Sequence, residues 1–337
     1  MSKVTEIWIL TDGRAGNEAQ ALGLAEAIGR QCSANISQKR IELKPWAGLI
    51  PPKMAVRLGA RRDGWPFMGL KSGAEDLRWP WPHIVIGAGR RSAAVVAALR
   101  KLYGVTAVQL LNPQCDPGAF DVIVVPEHDS IEGANILKTV GAMNRLTVSG
   151  VHAAAGTWSE SPSHKPQLAV LVGGPSGSAT FSDADQKRLL LALESLAQAH
   201  SLVVTASRRT PGRFVSLLAE CLEGRGMFWS GDGPNPYPAM LATSKAVLVT
   251  EDSVNMASEA ATVGLPVHIF PLTRVAAKFA AFHEALAARG ASRRFTGAIS
   301  AWAYEPLAEA DRIAGDLIRR GLIPASQEPG GLTEAHG

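Results

Sequence analysis

Apolar runs unbroken by polar alternation recur along the chain: EIWIL from 6, IVI from 84 and VIVV from 122, then LAVLV from 168, LVVT from 202, MFW from 227, AVLV from 246 and VHIF from 267. A strand with one wet face alternates, so these runs predict strands covered on both faces, as in a parallel sheet. Between them the apolar positions take helical spacing, which predicts helices over 17–28, 92–101, about 183–199 and 214–221, and from 253 onward. The alternation stops at GTWSESPSHKPQ, residues 156–167, where small, polar and proline residues without an apolar period mark a linker. The chain therefore divides into an α/β domain at 1–155 and another at 168–304, each doubly wound and Rossmann-like. A C-terminal helix within 305–325 carries Leu307, Ile313, Leu317 and Ile318 on one side, and the polar stretch 326–337 is expected to be a mobile tail.

Composition narrows the class without changing this picture. A length of 337 residues suits two domains, and 46% hydrophobic with 19% charged residues excludes disordered and fibrous chains. Cys32, Cys115 and Cys221 form neither a CxxC pair nor an even set, which argues against a disulfide scaffold or a structural zinc site. The N-terminal segment has the wrong pattern for a secretory signal and no run approaches a membrane span, so a cytoplasmic location is expected. Basic residues outnumber acidic ones 18 to 13 up to residue 155 and trail them 16 to 17 beyond it. That excess is modest and no nucleic-acid motif accompanies it, so no nucleic acid is expected as partner.

Parallel α/β sheets bind ligands beyond the carboxyl ends of their strands, so the chemistry is sought just after each apolar run. In LVGGPSGSATFS, residues Gly173, Gly174, Ser176 and Gly177 form a glycine turn ahead of a helix marked by Ser182 and Asp185, a pattern suited to close approach of a phosphate. It is neither a Walker motif nor a clean GxGxxG. VVTASRRTP adds Arg208 and Arg209, either a diphosphate clamp or a solvated turn closed by Pro211. VTEDSVNMASEA places Glu251, Asp252 and Ser253 at a strand-to-helix handover, with Ser253 as an N-cap, Asn255 and Met256 in the first turn, and Glu259 about two turns in. A carboxylate there can accept bonds from both hydroxyls of a ribose. The alternative makes Glu251 and Asp252 capping acids and Glu259 a surface residue. One nucleoside diphosphate sugar would use all three loops.

In the first half, TDGRAGNEAQ follows a strand with Asp12, Arg14, Asn17 and Glu18. Asp12 is either a base for an acceptor hydroxyl or a turn residue with Asn17 as cap. IGAGRRSA offers Arg90 and Arg91 beside a glycine turn with Ser92 as cap, which suits an anionic acceptor such as a lipid-linked phosphate or an acidic sugar. Asn112, Glu127 and His128 follow two further strands, without metal spacing around them. Between 45 and 81, Trp46, Trp65, Phe67, Trp79 and Trp81 interleave with Lys53, Arg57, Arg61, Arg62, Lys71 and Arg78. This is the composition of a peripheral membrane surface, and equally of core tryptophans beneath solvated arginines.

The segments GGPSG, TEDSVNMASEA and GLP resemble the donor half of GT-B glycosyltransferases, the peptidoglycan-precursor N-acetylglucosaminyltransferase among them. More closely, TDGRAGNEAQALGLAEAIG, IGAGRRSA, QLLNP and TEDSVNMASEA together resemble the mitochondrial-fission Elm-type family, whose bacterial members are treated as glycosyltransferases. The resemblance runs from Trp8 to about Leu322. It implies that Glu259 holds the ribose of a sugar nucleotide, that Ser253 and Asn255 sit at its phosphates, and that the MFW to Tyr237 region lies near the base. The peptidoglycan relative carries a histidine, proposed as base, in its first glycine turn; this chain has none there, leaving Asp12 and Glu18 as candidate catalytic groups. The reading is a GT-B-type pair of domains facing a cleft, with the last helix returning to the first domain. It moves a sugar from a nucleoside diphosphate sugar to a glycan or lipid-linked acceptor, with no metal or other cofactor required. A sugar-nucleotide epimerase and a non-catalytic membrane adaptor on the same fold are the alternatives.

Overall fold

The computed structural model describes residues 4–156, 164–231 and 233–323, and these fall into two compact units. The first contains β1 (Thr5–Thr11), α1 (Ala15–Gln31), β2 (Ala34–Arg40), β3 (Glu42–Leu43), the short helices α2 (Pro45–Gly48) and α3 (Pro52–Arg57), β4 (Leu70–Ser72), β5 (Ile84–Ala88), α4 (Ala93–Tyr103), β6 (Thr106–Leu110), β7 (Val122–Pro126) and β8 (Ile136–Thr139). Its main sheet is parallel throughout, in the order β2-β1-β5-β6-β7-β8, with β3 and β4 as a separate antiparallel pair. All five residues of β5 are buried, as its unbroken apolar run requires. The edge strand β2 has only exposed and half-buried positions, and its sequence ANISQKR carries no apolar run from which it could be read.

The second unit contains α5 (Val148–Ala155), β9 (Gln167–Val172), α6 (Asp183–Leu196), β10 (Ser201–Ala206), α7 (Gly212–Leu222), β11 (Gly226–Trp229), α8 (Tyr237–Thr243), β12 (Ala246–Thr250), α9 (Val254–Thr262), β13 (Val267–Phe270), α10 (Ala277–Ala288) and β14 (Ser292–Arg294). Its sheet is again parallel, in the order β11-β10-β9-β12-β13-β14. The start of α6 is fixed by a capping box: Ser182 Oγ accepts from Asp185 N, and Asp185 reaches back to the Ser182 backbone. Asp185 is fully buried; the bonds it accepts from Thr273, Ser182 and Arg188 outweigh desolvation and hold its pKa down at about 2.

The last helix, α11 (Glu309–Arg319), belongs to the first unit. Ile313, Ala314 and Leu317 pack with Leu24, Ala25 and Ile28 of α1, and burying Ile313 and Leu317 contributes on the order of 1.5–3 kcal/mol each. Arg30 pairs with Asp311 at 2.7 Å at the margin of this contact.

The unit boundaries differ from those expected of the sequence. Residues 140–142 and 146–155 cluster with the second unit, so α5 lies with it, while 143–145 stay with the first. Ser258 Oγ accepts from Ala142 N at 2.9 Å, which holds the early crossing segment to α9. Of the expected linker, 157–163 lie outside the described residues, as does the whole expected tail, 326–337.

Two topologies place two sites. In each sheet the strand order reverses direction once, between β1 and β5 in the first unit and between β9 and β12 in the second. At such a switch point adjacent connections leave to opposite faces of the sheet and open a crevice at the strand ends. The loops flanking the crevices are 12–14 and 89–92 in one unit, and 173–177 and 251–253 in the other.

Candidate functional site

At the switch point of the second unit, Asp252 gathers three loops. Its carboxylate accepts the Gly174 N–H at 2.8 Å, the Thr250 hydroxyl at 2.7 Å and the Arg209 guanidinium at 3.0 Å. Thr250 Oγ1 in turn accepts from Gly173 N at 2.7 Å, Arg209 donates to the Gly174 carbonyl, and the Thr210 hydroxyl donates to the Gly173 carbonyl. The packing leaves no room for side chains at the two glycines: a Cβ on Gly173 would lie 2.2 Å from Asp252 Oδ2, and one on Gly174 would lie 2.3 Å from the Arg209 carbonyl oxygen. The Asp252 side chain is fully buried, and these bonds satisfy its oxygens.

The expected donor residues therefore split into fasteners and open groups. Asp252 and Arg209 are spent on one another and on the loops. Glu251 is spent too: Oε2 accepts from Leu272 N at 2.8 Å, and its carbonyl oxygen lies 2.7 Å from His283 Nε2. Arg208 is exposed, and no described residue pairs with it. Ser176 and Gly177 are exposed at the tip of the glycine turn, where Ser176 Oγ accepts from Ser178 N at 3.1 Å. Ser253 occupies the N-cap position of α9, but its hydroxyl makes no capping bond, which corrects the sequence expectation. The backbone there, with ψ at 79°, departs from the extended conformation usual at an N-cap. Val254, Asn255 and Met256 are the first residues of α9, whose N–H groups have no acceptor within the helix. The Met256 side chain packs on the core, so only its backbone faces this end.

Glu259 stands one turn further along, where Oε2 accepts the Tyr237 hydroxyl at 2.8 Å. Desolvation pushes its pKa up to about 7, against the pull of the Tyr237 bond. Burial and the adjacent carboxylate raise the Tyr237 phenol well above its ordinary value. The sign of the linkage follows. A carboxyl whose pKa is raised on folding binds more protons folded than unfolded, so its contribution is greatest below pH 4.5 and falls as pH rises to about 7. Glu259→Gln keeps an acceptor for Tyr237 and cannot ionise. The stability of this variant relative to the parent is therefore expected to increase from pH 5 to pH 8 in denaturant titrations. A difference flat across that range would contradict the buried carboxyl. Comparing variant with parent cancels the opposite slope from His268 and His283, whose pKa values burial lowers.

The first unit presents its own crevice. Asp12, with 7% of its side chain exposed, lies 3.4 Å from Arg14 Nε and 4.0 Å from Arg91, and it accepts the Arg14 N–H at 3.3 Å. The Arg40 guanidinium closes over Gly13 from the end of β2, while Arg14 and Arg91 flank the Asp12 carboxylate. Asn17 lies inside α1, whose N-cap is Arg14, so it does not cap; its amide instead donates across the switch point to the Ala88 carbonyl at 3.5 Å. Ser92 likewise stands at an N-cap without capping, since its hydroxyl donates to the Gly89 carbonyl at 3.0 Å. Glu18 accepts from the Gln38 amide on β2. Asn112 is tied to Asp129 at 2.9 Å, and Glu127 and His128 are exposed at the end of β7. Arg90 is exposed, and no described residue pairs with it.

The tryptophan-rich segment divides between both expected readings. Trp81 stacks on Tyr103 at 3.7 Å and, with Phe67, packs against the core, while Trp65 donates its ring N–H to the Ala55 carbonyl. Trp46 and Trp79 are exposed, as are Leu49, Met54, Leu58 and Met68. Among the described residues no helix is long and apolar enough to cross a membrane, and no group of three His, Cys, Asp or Glu side chains is arranged to hold a metal ion.

Sequence reasoning found the loops but missed the threonines and Tyr237 as structural partners. Thr210 and Thr250 follow an arginine pair and a buried strand, the only local hint that their hydroxyls have work at the strand ends.

The profile of the family described as mitochondrial fission ELM1 matches residues 15–321. The mitochondrial fission protein ELM1 of Arabidopsis thaliana is 29% identical over 277 residues, covering 71% of this chain and 65% of the plant protein. The chain thus spans just under two thirds of the length of that relative. An uncharacterized protein of Rickettsia prowazekii (strain Madrid E) is 27% identical over 361 residues, covering 94% of this chain and 98% of the other. Among solved structures, UDP-GlcNAc 2-epimerase from Methanocaldococcus jannaschii is similar with a TM-score of 0.53 and 12% identity, covering 93% of this chain and 99% of the other. At that identity the likeness is one of fold.

Proposed function

The chain belongs to the mitochondrial fission ELM1 family, and from that premise we propose that it transfers a sugar from a nucleoside diphosphate sugar to an acceptor hydroxyl. The observation that carries the proposal is the gathering of loops 173–174, 209–210 and 250–252 on Asp252, with Glu259 nearby on α9 and steadied by Tyr237. Such a site offers what a sugar nucleotide needs. The unbonded N–H groups at the start of α9 and the free guanidinium of Arg208 suit the diphosphate. Glu259 suits the ribose, because a carboxylate oxygen already accepting from Tyr237 keeps a second lone pair and Oε1 keeps both of its own.

In the first unit Asp12 is the proposed base, and Glu18, engaged by Gln38, is the lesser candidate. The acceptor oxygen attacks the anomeric carbon, its proton passes to Asp12, and the bond from that carbon to the diphosphate oxygen breaks with the electron pair leaving on the nucleoside diphosphate. Fixed positive charge and backbone N–H groups meet the departing anion, so the step needs no nucleophile from the protein. The arginines around Asp12, together with Arg90, suit an anionic glycan or lipid-linked acceptor. The exposed apolar and basic residues of 45–81 suit peripheral contact with a cytoplasmic membrane face.

Thermal-shift titration against uridine, guanosine, cytidine and thymidine diphosphate sugars tests the donor assignment and identifies the base. Asp12→Asn is then expected to lower acceptor-dependent release of the nucleoside diphosphate by about 100-fold or more while leaving donor affinity unchanged. Isomerisation of a bound nucleotide sugar without acceptor would assign an epimerase. No sugar-nucleotide affinity at all would leave the chain a membrane adaptor on this fold.

A further inference from the structure

Helices α2 and α3 arch over a hollow in the first unit. A cavity of about 340 Å³ is walled by Leu43, Ala47, Ile50, Pro52, Trp65 and Val95, opens past Leu49, and ends at Arg90 and Arg91. Its volume is at the lower end of ligand pockets, which suits one aliphatic chain and not the two of a bulk phospholipid. No carboxylate lines it, so its charge is wholly positive and confined to one end. A second cavity, of about 560 Å³, lies on the other side of Ala55 and Ala94, and a third, of about 580 Å³, shares Gln114 and is lined by Lys53 and Arg57. Leu49, which lines the first cavity, is 83% exposed, and Met54 and Leu58, on and just after α3, are more than half exposed. Exposed apolar residues beside a hollow whose lining side chains are mostly apolar, with two arginines, suit an amphiphilic occupant.

The charged end of the hollow is also the switch-point crevice. Arg91 lines the cavity and stands 4.0 Å from Asp12, the proposed base. We infer that the acceptor is a hydroxyl-bearing lipid phosphate with a single hydrocarbon chain, whose anionic group lies on Arg90 and Arg91, whose hydroxyl faces Asp12 and whose hydrocarbon runs beneath α2 and α3. This rests on the transferase reading and deepens it by naming the acceptor's chemistry. The phosphate supplies the charge match and the chain supplies the apolar burial, so neither half alone should bind well.

Calorimetry on the full chain with dodecyl phosphate below its micellar concentration, dodecanol and inorganic phosphate provides the test, followed independently by tryptophan fluorescence because Trp65 lines the cavity. Dodecyl phosphate is expected to bind at least tenfold more tightly than either fragment. Arg90→Gln should weaken dodecyl phosphate and inorganic phosphate alike by about tenfold, whereas Leu49→Asp, at an exposed position, should weaken dodecyl phosphate alone. Dodecyl phosphate binding no tighter than inorganic phosphate, or either variant matching the parent, overturns the inference. So does equal, Arg90-dependent binding to vesicles containing phosphatidylglycerol, which would make bulk anionic lipid the occupant. Titrating the same preparations with nucleoside diphosphate separates the two claims, since loss of nucleotide affinity with intact dodecyl phosphate binding would count against the transferase reading only.

Discussion

Glu259→Ala is expected to weaken binding of the preferred nucleoside diphosphate by about 100-fold or more, because two hydrogen bonds from ribose hydroxyls to a carboxylate are lost and each is worth about 1.5–3 kcal/mol. Alanine is the best helix former, so α9 should persist. The Tyr237 hydroxyl loses its acceptor, however, and a companion Tyr237→Phe variant separates that loss from the ligand contact. Removing the phenol leaves Glu259 able to meet the ribose but less well oriented, so Tyr237→Phe should reduce affinity by less than Glu259→Ala. The pH dependence sharpens the case. With the carboxyl held at about 7, only part of the unliganded protein is ionised near neutrality, and the ionised form is the better acceptor. Affinity in the parent should therefore rise as pH increases through 7, and binding should release a proton, visible as a buffer-dependent heat in calorimetry. Glu259→Gln should bind weakly with neither effect. Equal affinity of parent and Glu259→Ala would remove the ribose assignment.

The strands that build the sheets were legible because burial on both faces writes itself as an unbroken apolar run, as in β5, β7, β9 and β12. Elements at the margins were not. The edge strand β2 is polar because it is wet, β14 is only Ser292–Arg294, and α10, AKFAAFHEALAA, is apolar on most sides and shows no helical stripe. The candidate site divides in the same way. Its location follows from strand ends, since the glycine turn, the arginine pair and the acidic handover each come directly after an apolar run. The role of each residue depends on partners far away in sequence: Asp252 meets Gly174 across 78 positions and Arg209 across 43. No local pattern distinguishes an arginine that fastens a loop from one that waits for phosphate, and here neighbours differ, Arg209 engaged and Arg208 free. Ser253 and Ser92 show the same limit, since their capping composition is present while the backbone takes the hydroxyl elsewhere or leaves it unbonded.

The fastening makes its own prediction. Asp252→Ala is expected to cost about 3 kcal/mol, because the Gly174 N–H and the Thr250 hydroxyl are left buried without their acceptor. For a domain of this size that lowers the melting temperature by roughly 6–12 °C. Arg209→Ala should cost far less, since its side chain is 42% exposed and water replaces part of what it loses. Both variants should nevertheless bind nucleoside diphosphate less well, because loops 173–174 and 209–210 are then no longer tied to the start of α9. A double-variant cycle in chemical denaturation and in ligand titration measures the tie directly: the two substitutions should be markedly non-additive in both readouts. If Asp252→Ala proved as stable as the parent yet lost the nucleotide, Asp252 would be a ligand contact and the three loops would be held by something else. If it lost stability and kept full affinity, the crevice would not be the nucleotide site at all.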